Sequence, residues 1–301
     1  MMRGYFYGWY LKCQSDTQTL AVIPAMHRSG KKHTCSMQII TDDDAWTLSF
    51  PANAFRRRGR WIILGKNRVG EDGIRLDVHT PELTAKGSLH FGPIFPLKYD
   101  IMGPFALLPF MECRHSVWSM RHLVRGTVAI NGTKYCFRDA WGYWEGDRGR
   151  SFPREYIWTH CSFPGGALML SVAHIPLAGF SFTGIIGFVL WKGREYRIAT
   201  YLGARAVQIQ NGIVRIVQGN LGLEARLLEA SGRPLKAPQK GDMVRTIRES
   251  AACKAFYRFR KGGHTLFAFE TDRASFEYEY VSEILPPPLH QSHKLSRQHN
   301  R

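Results

Sequence analysis

Val124-Arg-Gly-Thr-Val-Ala-Ile-Asn-Gly-Thr-Lys-Tyr-Cys-Phe-Arg138 decides the fold class. Two candidate strands flank Asn131-Gly132. Asn-Gly readily takes the positive φ angles of a type I′ turn, whose twist matches a pair of strands. The stretch therefore predicts a β-hairpin. Ala206-Val-Gln-Ile-Gln and Ile213-Val-Arg-Ile-Val repeat the arrangement around Asn211-Gly212. There the alternation predicts one buried face made of Val207, Ile209, Val214 and Ile216.

Working outward, Leu266-Phe-Ala-Phe-Glu and Phe276-Glu-Tyr-Glu-Tyr-Val also alternate. The longest apolar run, Ile175 to Trp191, contains Pro176, Ser181, Thr183 and three glycines. A membrane-spanning helix needs about twenty apolar residues. This run is shorter and interrupted, so consecutive buried strands are expected and no transmembrane segment. Helical periodicity is weak, with Ala225–Glu229 and Thr246–Ala255 as short exceptions. The chain reads as all-β, with roughly a dozen or more antiparallel strands separated by turns.

Composition agrees. The chain has 301 residues, 44% hydrophobic and 13% aromatic, with 29 glycines and 15 prolines. That suits a folded, turn-rich protein with a sizeable core. Its net charge of +17 would suit nucleic acid, an anionic membrane surface or acidic ligands. The basic residues are scattered, with local clusters at Arg56 to Arg60 and Lys254 to Lys261. No nucleic-acid-binding signature accompanies them, so nucleic acid is disfavoured as a partner. Peripheral contact with an anionic membrane stays open. The six cysteines show no Cys-x-x-Cys spacing and no signal peptide precedes them, which reads as a reducing, cytoplasmic setting.

The densest chemistry lies in Gly142-Tyr-Trp-Glu-Gly-Asp-Arg-Gly-Arg-Ser-Phe-Pro-Arg-Glu-Tyr-Ile-Trp158. Glu145 and Asp147 stand among aromatic residues that could keep a carboxyl group neutral. They also stand beside Arg148, Arg150 and Arg154, and ion pairs with those would make them poor acids. Asp147 and Arg150 are expected to lock the connection between two halves. Cys113-Arg-His115 has no partner motif. Residues 87–115 are rich in glycine and proline, as a covering loop would be. Residues 286–301, opening with three prolines, are expected to be a disordered basic tail.

The run of Tyr143, Glu145, Asp147, Gly149, Ser151, Phe152 and Pro153, followed by Trp158, resembles a signature of the tocopherol cyclase family. Phe6-Tyr-Gly-Trp-Tyr-Leu-Lys12, followed by Leu20-Ala-Val-Ile-Pro24, resembles the opening strands of the same family. The resemblance implies two calycin-like or lipocalin-like β-barrel or sandwich halves packed side by side. We place the first half at residues 1–140 and the second at 141–285, opening with the Glu145-Gly-Asp-Arg-Gly-Arg-Ser-Phe-Pro153 segment. An aromatic residue three positions before a cysteine occurs in both, at Tyr10/Cys13 and Trp158/Cys161.

The resemblance also implies acid-promoted ring closure of a prenylated quinol to a chromanol, which needs no metal and no cofactor. Glu145 and Asp147 are the candidate acids, and His160 is a candidate proton relay. Trp9, Tyr10, Tyr143, Trp144, Phe152 and Trp158 are expected to line the slot, their ring faces suiting a carbocation. A non-catalytic carrier of a lipophilic ligand is the alternative, since β-barrels enclose such ligands without any acid.

Overall fold

The computed structural model describes residues 4–108, 111–177, 180–229 and 232–285. The expected tail at 286–301 lies outside them. Among the described residues the chain is all-β, broken only by three 3₁₀ turns. No helix is long and apolar enough to cross a membrane. All six cysteines are free.

The first half holds β1 (Tyr5–Gln14), β2 (Thr19–Ser29), β3 (Lys32–Thr41), β4 (Ala45–Phe50), β5 (Phe55–Arg58) and β6 (Trp61–Leu64). It continues with β7 (Asn67–Gly70), β8 (Gly73–His79), β9 (Thr84–Phe91), β10 (Cys113–Ile130) and β11 (Thr133–Gly149). These form one antiparallel sheet in the order β4-β3-β2-β1-β11-β10-β9-β8-β7-β6-β5.

The second half holds β12 (Tyr156–Phe163), β13 (Gly166–Leu177), β14 (Phe180–Trp191), β15 (Arg194–Ala199) and β16 (Arg205–Gln210). It ends with β17 (Ile213–Gln218), β18 (Leu221–Leu227), β19 (Arg233–Gln239), β20 (Asp242–Lys261) and β21 (His264–Glu279). Their order is β15-β14-β13-β12-β21-β20-β18-β17-β16, with β19 added against β20. The two sheets curl into two β-barrel halves. The run β4-β3-β2-β1-β11-β10 thus has the same layout as β15-β14-β13-β12-β21-β20. Tyr10/Cys13 and Trp158/Cys161 fall on the corresponding strands β1 and β12.

Both Asn-Gly turns close hairpins, with φ of 47° and 85° at Asn131 and Gly132 and 50° and 77° at Asn211 and Gly212. A bulge between Ala206 and Gln208 shifts the phase of β16. Gln208 and Ile209 are therefore both buried and Val207 only half-buried, contrary to strict alternation. Ala225–Glu229 and Thr246–Ala255 are not helical: Ala225–Leu227 ends β18 and Thr246–Ala255 lies inside β20. Neighbouring strands on both sides of β20 override its weak helical period. Residues 141–149 are the end of β11, so a division at 140 would cut that strand. The change of sheet falls between Gly149 and Tyr156.

Each half has its own apolar core, one around Trp9, Phe137 and Trp144, the other around Phe163, Tyr257 and Phe259. A third cluster joins Tyr10, Ile40, Met120 and Tyr143 of the first half to Trp158, Met169, Phe188 and Ile247 of the second. This seam positions the site. The ends of the expected covering segment belong to β9 and β10, and between them Gly103–Leu107 forms a 3₁₀ turn. Ile101 and Met102 bury themselves in the seam. Arg197 holds the segment to the second half, donating to the carbonyls of Asp100 at 2.8 Å and Tyr99 at 2.9 Å.

Candidate functional site

The period of two along β11 points Tyr143, Glu145 and Asp147 to the seam and Trp144 to the opposite face. Trp144 packs on Trp9 and Trp118 in the first core, with ring centroids 5.1 Å from each. Gly146 makes room for this stack: a Cβ there would sit 2.5 Å from the Trp118 ring.

A cavity of about 160 Å³ opens at the seam. Ile23, Met102, Phe105, Ile186 and Ile247 give it a largely apolar wall. Trp9, Tyr10, Phe152 and Trp158 line it, and so do Glu145 and Asp147. Tyr143 stands behind Glu145, and Trp144 does not reach the cavity. His115, Glu249 and Glu277 line it too, and sequence reasoning missed all three.

Glu145 is 5% exposed. Its Oε2 accepts hydrogen bonds from the Tyr143 hydroxyl and, at 3.1 Å, from Trp158 Nε1. His115 Nε2 lies 3.1 Å from the same oxygen, off the hydrogen-bonding direction, so that contact is one of charge. His115 Nδ1 bonds Asp147 Oδ1 at 2.9 Å, and Cys113 Sγ donates to that oxygen at 3.4 Å. Glu145 Oε1 has no partner among the described residues, which leaves it for the cavity.

Burial works against charge on His115, but Glu145 and Asp147 overcome it and hold the imidazole well above its usual pKa. Burial raises the Glu145 carboxyl, His115 opposes the rise and Asp147 adds to it. The expected arginine pairs are not what holds these acids. Among the described residues, Arg148, Arg150 and Arg154 form no salt bridge with either, and Asp147 is held by His115 and Cys113 instead of Arg150. The strand geometry explains this, because Arg148 alternates to the other face and Arg150 and Arg154 lie beyond the end of β11.

His160 stacks on Tyr143 with ring centroids 3.7 Å apart. Both its nitrogens are enclosed without partners, and it reaches Glu145 only through that ring. Burial, with Lys12 and His122 adding, holds its pKa well below the usual value. The imidazole that touches the acids is His115.

The second half supplies another acid group. Glu277 and Glu249 lie directly opposite each other on β21 and β20. Glu277 Oε2 accepts a hydrogen bond from the Tyr156 hydroxyl. Burial pushes Glu277 up to about 8 against that bond, with Glu145 adding to the rise. Burial, then Glu277 and Glu145, hold Glu249 well above the carboxylate range. Tyr10, T-shaped against Trp158 at 5.2 Å, feels the charge of all three glutamates.

The donor atoms of His115, Glu145 and Asp147 lie within 4.8 Å of one another, close enough to consider a cation. However, Glu145 Oε2 already accepts from Tyr143 and Trp158, and Asp147 Oδ1 from His115 and Cys113. A metal could use only the oxygens these donors leave, such as Glu145 Oε1, and three protein groups fall one short of a closed tetrahedral site. The set fits a charge-paired acid cluster better than a ligand set.

No protein-family profile matches the sequence, and no curated protein sequence matches it. Solved structures do share its fold. A Nitrosomonas europaea protein described as an AttH superposes with a TM-score of 0.55 at 10% identity, over 93% of each chain. CghA superposes with a TM-score of 0.60 at 8% identity, over 92% of this chain and 88% of CghA. CghA with Sch210972 gives 0.59 at 8%, over 92% and 89%. At such identities the likeness is one of fold.

Proposed function

We propose that the protein binds a hydrophobic, prenylated quinol-type molecule at the seam and promotes its acid-catalysed ring closure to a chromanol, or a related proton-driven isomerisation. The observation that carries this reading is a mismatch of charge on the cavity wall. Four carboxyl groups line a largely apolar space beside two imidazoles and, on the rim, Lys236; burial pushes His27 down to about 4, so His115 is the imidazole that carries charge. Four anions there would be only partly compensated, so at least one acid keeps its proton near neutral pH.

The chemistry then balances without any other reactant. A carboxyl proton moves to the alkene carbon and leaves a tertiary cation. The phenol oxygen forms the new C–O bond, and the phenolic proton passes to a carboxylate. Product and substrate have the same atoms. Tyr10 and Trp158 offer ring faces to the cation. A cavity of about 150 Å³ admits benzene, so this one suits the ring of such a substrate. CghA is known with Sch210972, so a neighbour of this fold takes a ligand. Exposed Arg56, Arg57 and Arg58 on the edge strand β5 would hold the protein at an anionic membrane, where such a substrate dissolves.

The test is turnover of a prenylated hydroquinone by the protein and by Glu145→Gln. The expected loss in kcat is about 100-fold, the scale of one general acid–base group. Equal turnover by the variant would remove Glu145 from the chemistry. Retained binding of a fluorescent lipid with no product from either protein would make this a carrier.

A further inference from the structure

The carboxyl groups of the cavity are not equivalent, and their surroundings sort them. Glu145 sits against His115 and accepts two hydrogen bonds, three interactions that favour its ionised form. Glu277 accepts one, from Tyr156. Glu249 accepts none. Its Oε1 is enclosed without a partner, and its Oε2 has none either among the described residues. Oε2 is not enclosed, so it is the oxygen that meets the cavity. The residue is 4% exposed. A carboxylate in that position would be buried with nothing to stabilise it, whereas a neutral acid tolerates it far better.

We propose that Glu249 is the proton donor of the cavity, sharing one proton with Glu277, and that Glu145, backed by His115 and Asp147, is the group that receives the substrate's proton. This deepens the ring-closure reading and rests on it for the identity of the substrate. Directly opposed residues on antiparallel strands bring their side chains within about 5 Å, where two carboxylates repel strongly. One of the pair therefore stays protonated. The Tyr156 hydrogen bond favours the anion on Glu277, which leaves the proton on Glu249.

The charged and titratable groups packed around Glu249 allow this. Glu277 faces it from β21 and Glu145 from β11. Tyr10 and Lys12 approach from β1, His27 lines the same cavity from β2, and Lys236 stands on the rim from β19. Lys12 is the one buried amine nearby. Burial pushes it down to about 8, and it donates to the Arg273 carbonyl at 2.7 Å. It donates elsewhere, so its charge only partly offsets that of the pair. Tyr10 stands beside Glu145 in register, and its hydroxyl bonds Ser275 of β21 at 3.0 Å, so the ring reaches from the receiver's strand towards the donor's half. A cation formed over that ring would lie between them.

The experiment has two readouts. Infrared spectra of the protein at pH 7 should show the carbonyl stretch of a protonated carboxyl group. Glu249→Gln should weaken that band to what Glu277 alone can hold, and Glu145→Gln should leave it unchanged. A wild type without the band, or a band unchanged in Glu249→Gln, overturns the assignment whatever the substrate proves to be. In turnover of the prenylated hydroquinone, Glu249→Gln should lower kcat about 100-fold with little change in KM. It should also remove the fall in activity at high pH that a required acid produces. Glu277→Gln, a second variant that keeps the donor, should move that fall to lower pH, because Glu249 loses the charge that holds its proton. Unchanged kcat and pH profiles in both variants overturn the donor role. A wild type that shows the band but closes no ring upholds the proton on Glu249 and refutes the ring-closure reading instead.

Discussion

The two halves bring the same strand layout to the cavity and surround its acids with different partners. In each, the glutamate on the last long strand lies opposite an aromatic residue on the first: Glu145 opposite Tyr10, Glu277 opposite Trp158. Each glutamate is bonded to a tyrosine hydroxyl. The difference is on the neighbouring strand. Val117 on β10 faces Glu145, with His115 two residues away, whereas Glu249 on β20 faces Glu277. A base beside one acid and a second acid beside the other make a receiver and a donor from one architecture. Fold alone would not separate them; a single side chain on one strand does.

The largest expected effect comes from breaking the first-half arrangement. His115→Leu leaves Asp147 and Glu145 buried or half-buried without their cation. Removing one partner of a buried pair costs about 3 kcal/mol or more. Urea unfolding at pH 7 should show that loss, and it should shrink at pH 5 as the buried Glu145 takes up a proton. A loss below about 1 kcal/mol would mean that the acids are compensated in another way.

Stability against pH sharpens the comparison. The Glu249–Glu277 pair, with Glu277 pushed up to about 8 and Glu249 well above the carboxylate range, holds its shared proton in the folded chain, whereas in the unfolded chain both carboxyls lose theirs near the ordinary value of 4.5. Between those values the folded state holds more protons, so stability falls as pH rises. His115 acts in the same direction in a higher window. Its contribution is complete below 6.5 and is lost as pH rises through its raised folded value. Melting temperatures from pH 5 to 9 should therefore decline. Glu277→Gln should flatten the lower part of the decline and His115→Leu the upper part. A wild type that gains stability over this range would contradict both assignments.

The fold was legible because β-hairpins announce themselves locally. Asn131-Gly132 and Asn211-Gly212 dictated their turns, and the breakers between Ile175 and Trp191 marked two strands. The site was half legible. Glu145, Asp147, Trp9, Tyr10, Phe152 and Trp158 were found from two motifs. Trp144 was misplaced because a dense motif hides the alternation that sends neighbours to opposite faces. His115 carries no local signal, yet the hairpin register contains it. Ile130 pairs with Thr133, so fifteen steps outward put His115 opposite residue 148, and bulges in β10 move it to Asp147. Likewise Lys261 pairs with His264, and twelve steps outward put Glu249 opposite 276, which bulges move to Glu277. Bulges depend on packing around the barrel, so the sequence gives such pairs only to within a residue. That residue decides which face a side chain takes.

The smallest effect tests the likeness of the halves where function plays no part. The β10–β11 hairpin turns at Asn131-Gly132 and the corresponding β20–β21 hairpin at Gly262-Gly263. Their φ angles match, 47° and 85° against 55° and 81°. The first turn residue also does the same thing in each: Asn131 N donates to Thr84 O at 2.8 Å and Gly262 N to Asn220 O at 2.9 Å. The Asn131 side chain adds a bond, accepting from Thr84 N at 2.8 Å. Gly262 has open space around it, so a side chain fits. Asparagine tolerates this conformation and restricts the unfolded chain more than glycine does. Gly262→Asn should therefore stabilise the protein by about 0.5 kcal/mol, read as a higher urea midpoint with an unchanged slope. A lower midpoint would show that the two turns differ despite their shared angles, and that the correspondence of the halves ends before the hairpin tips.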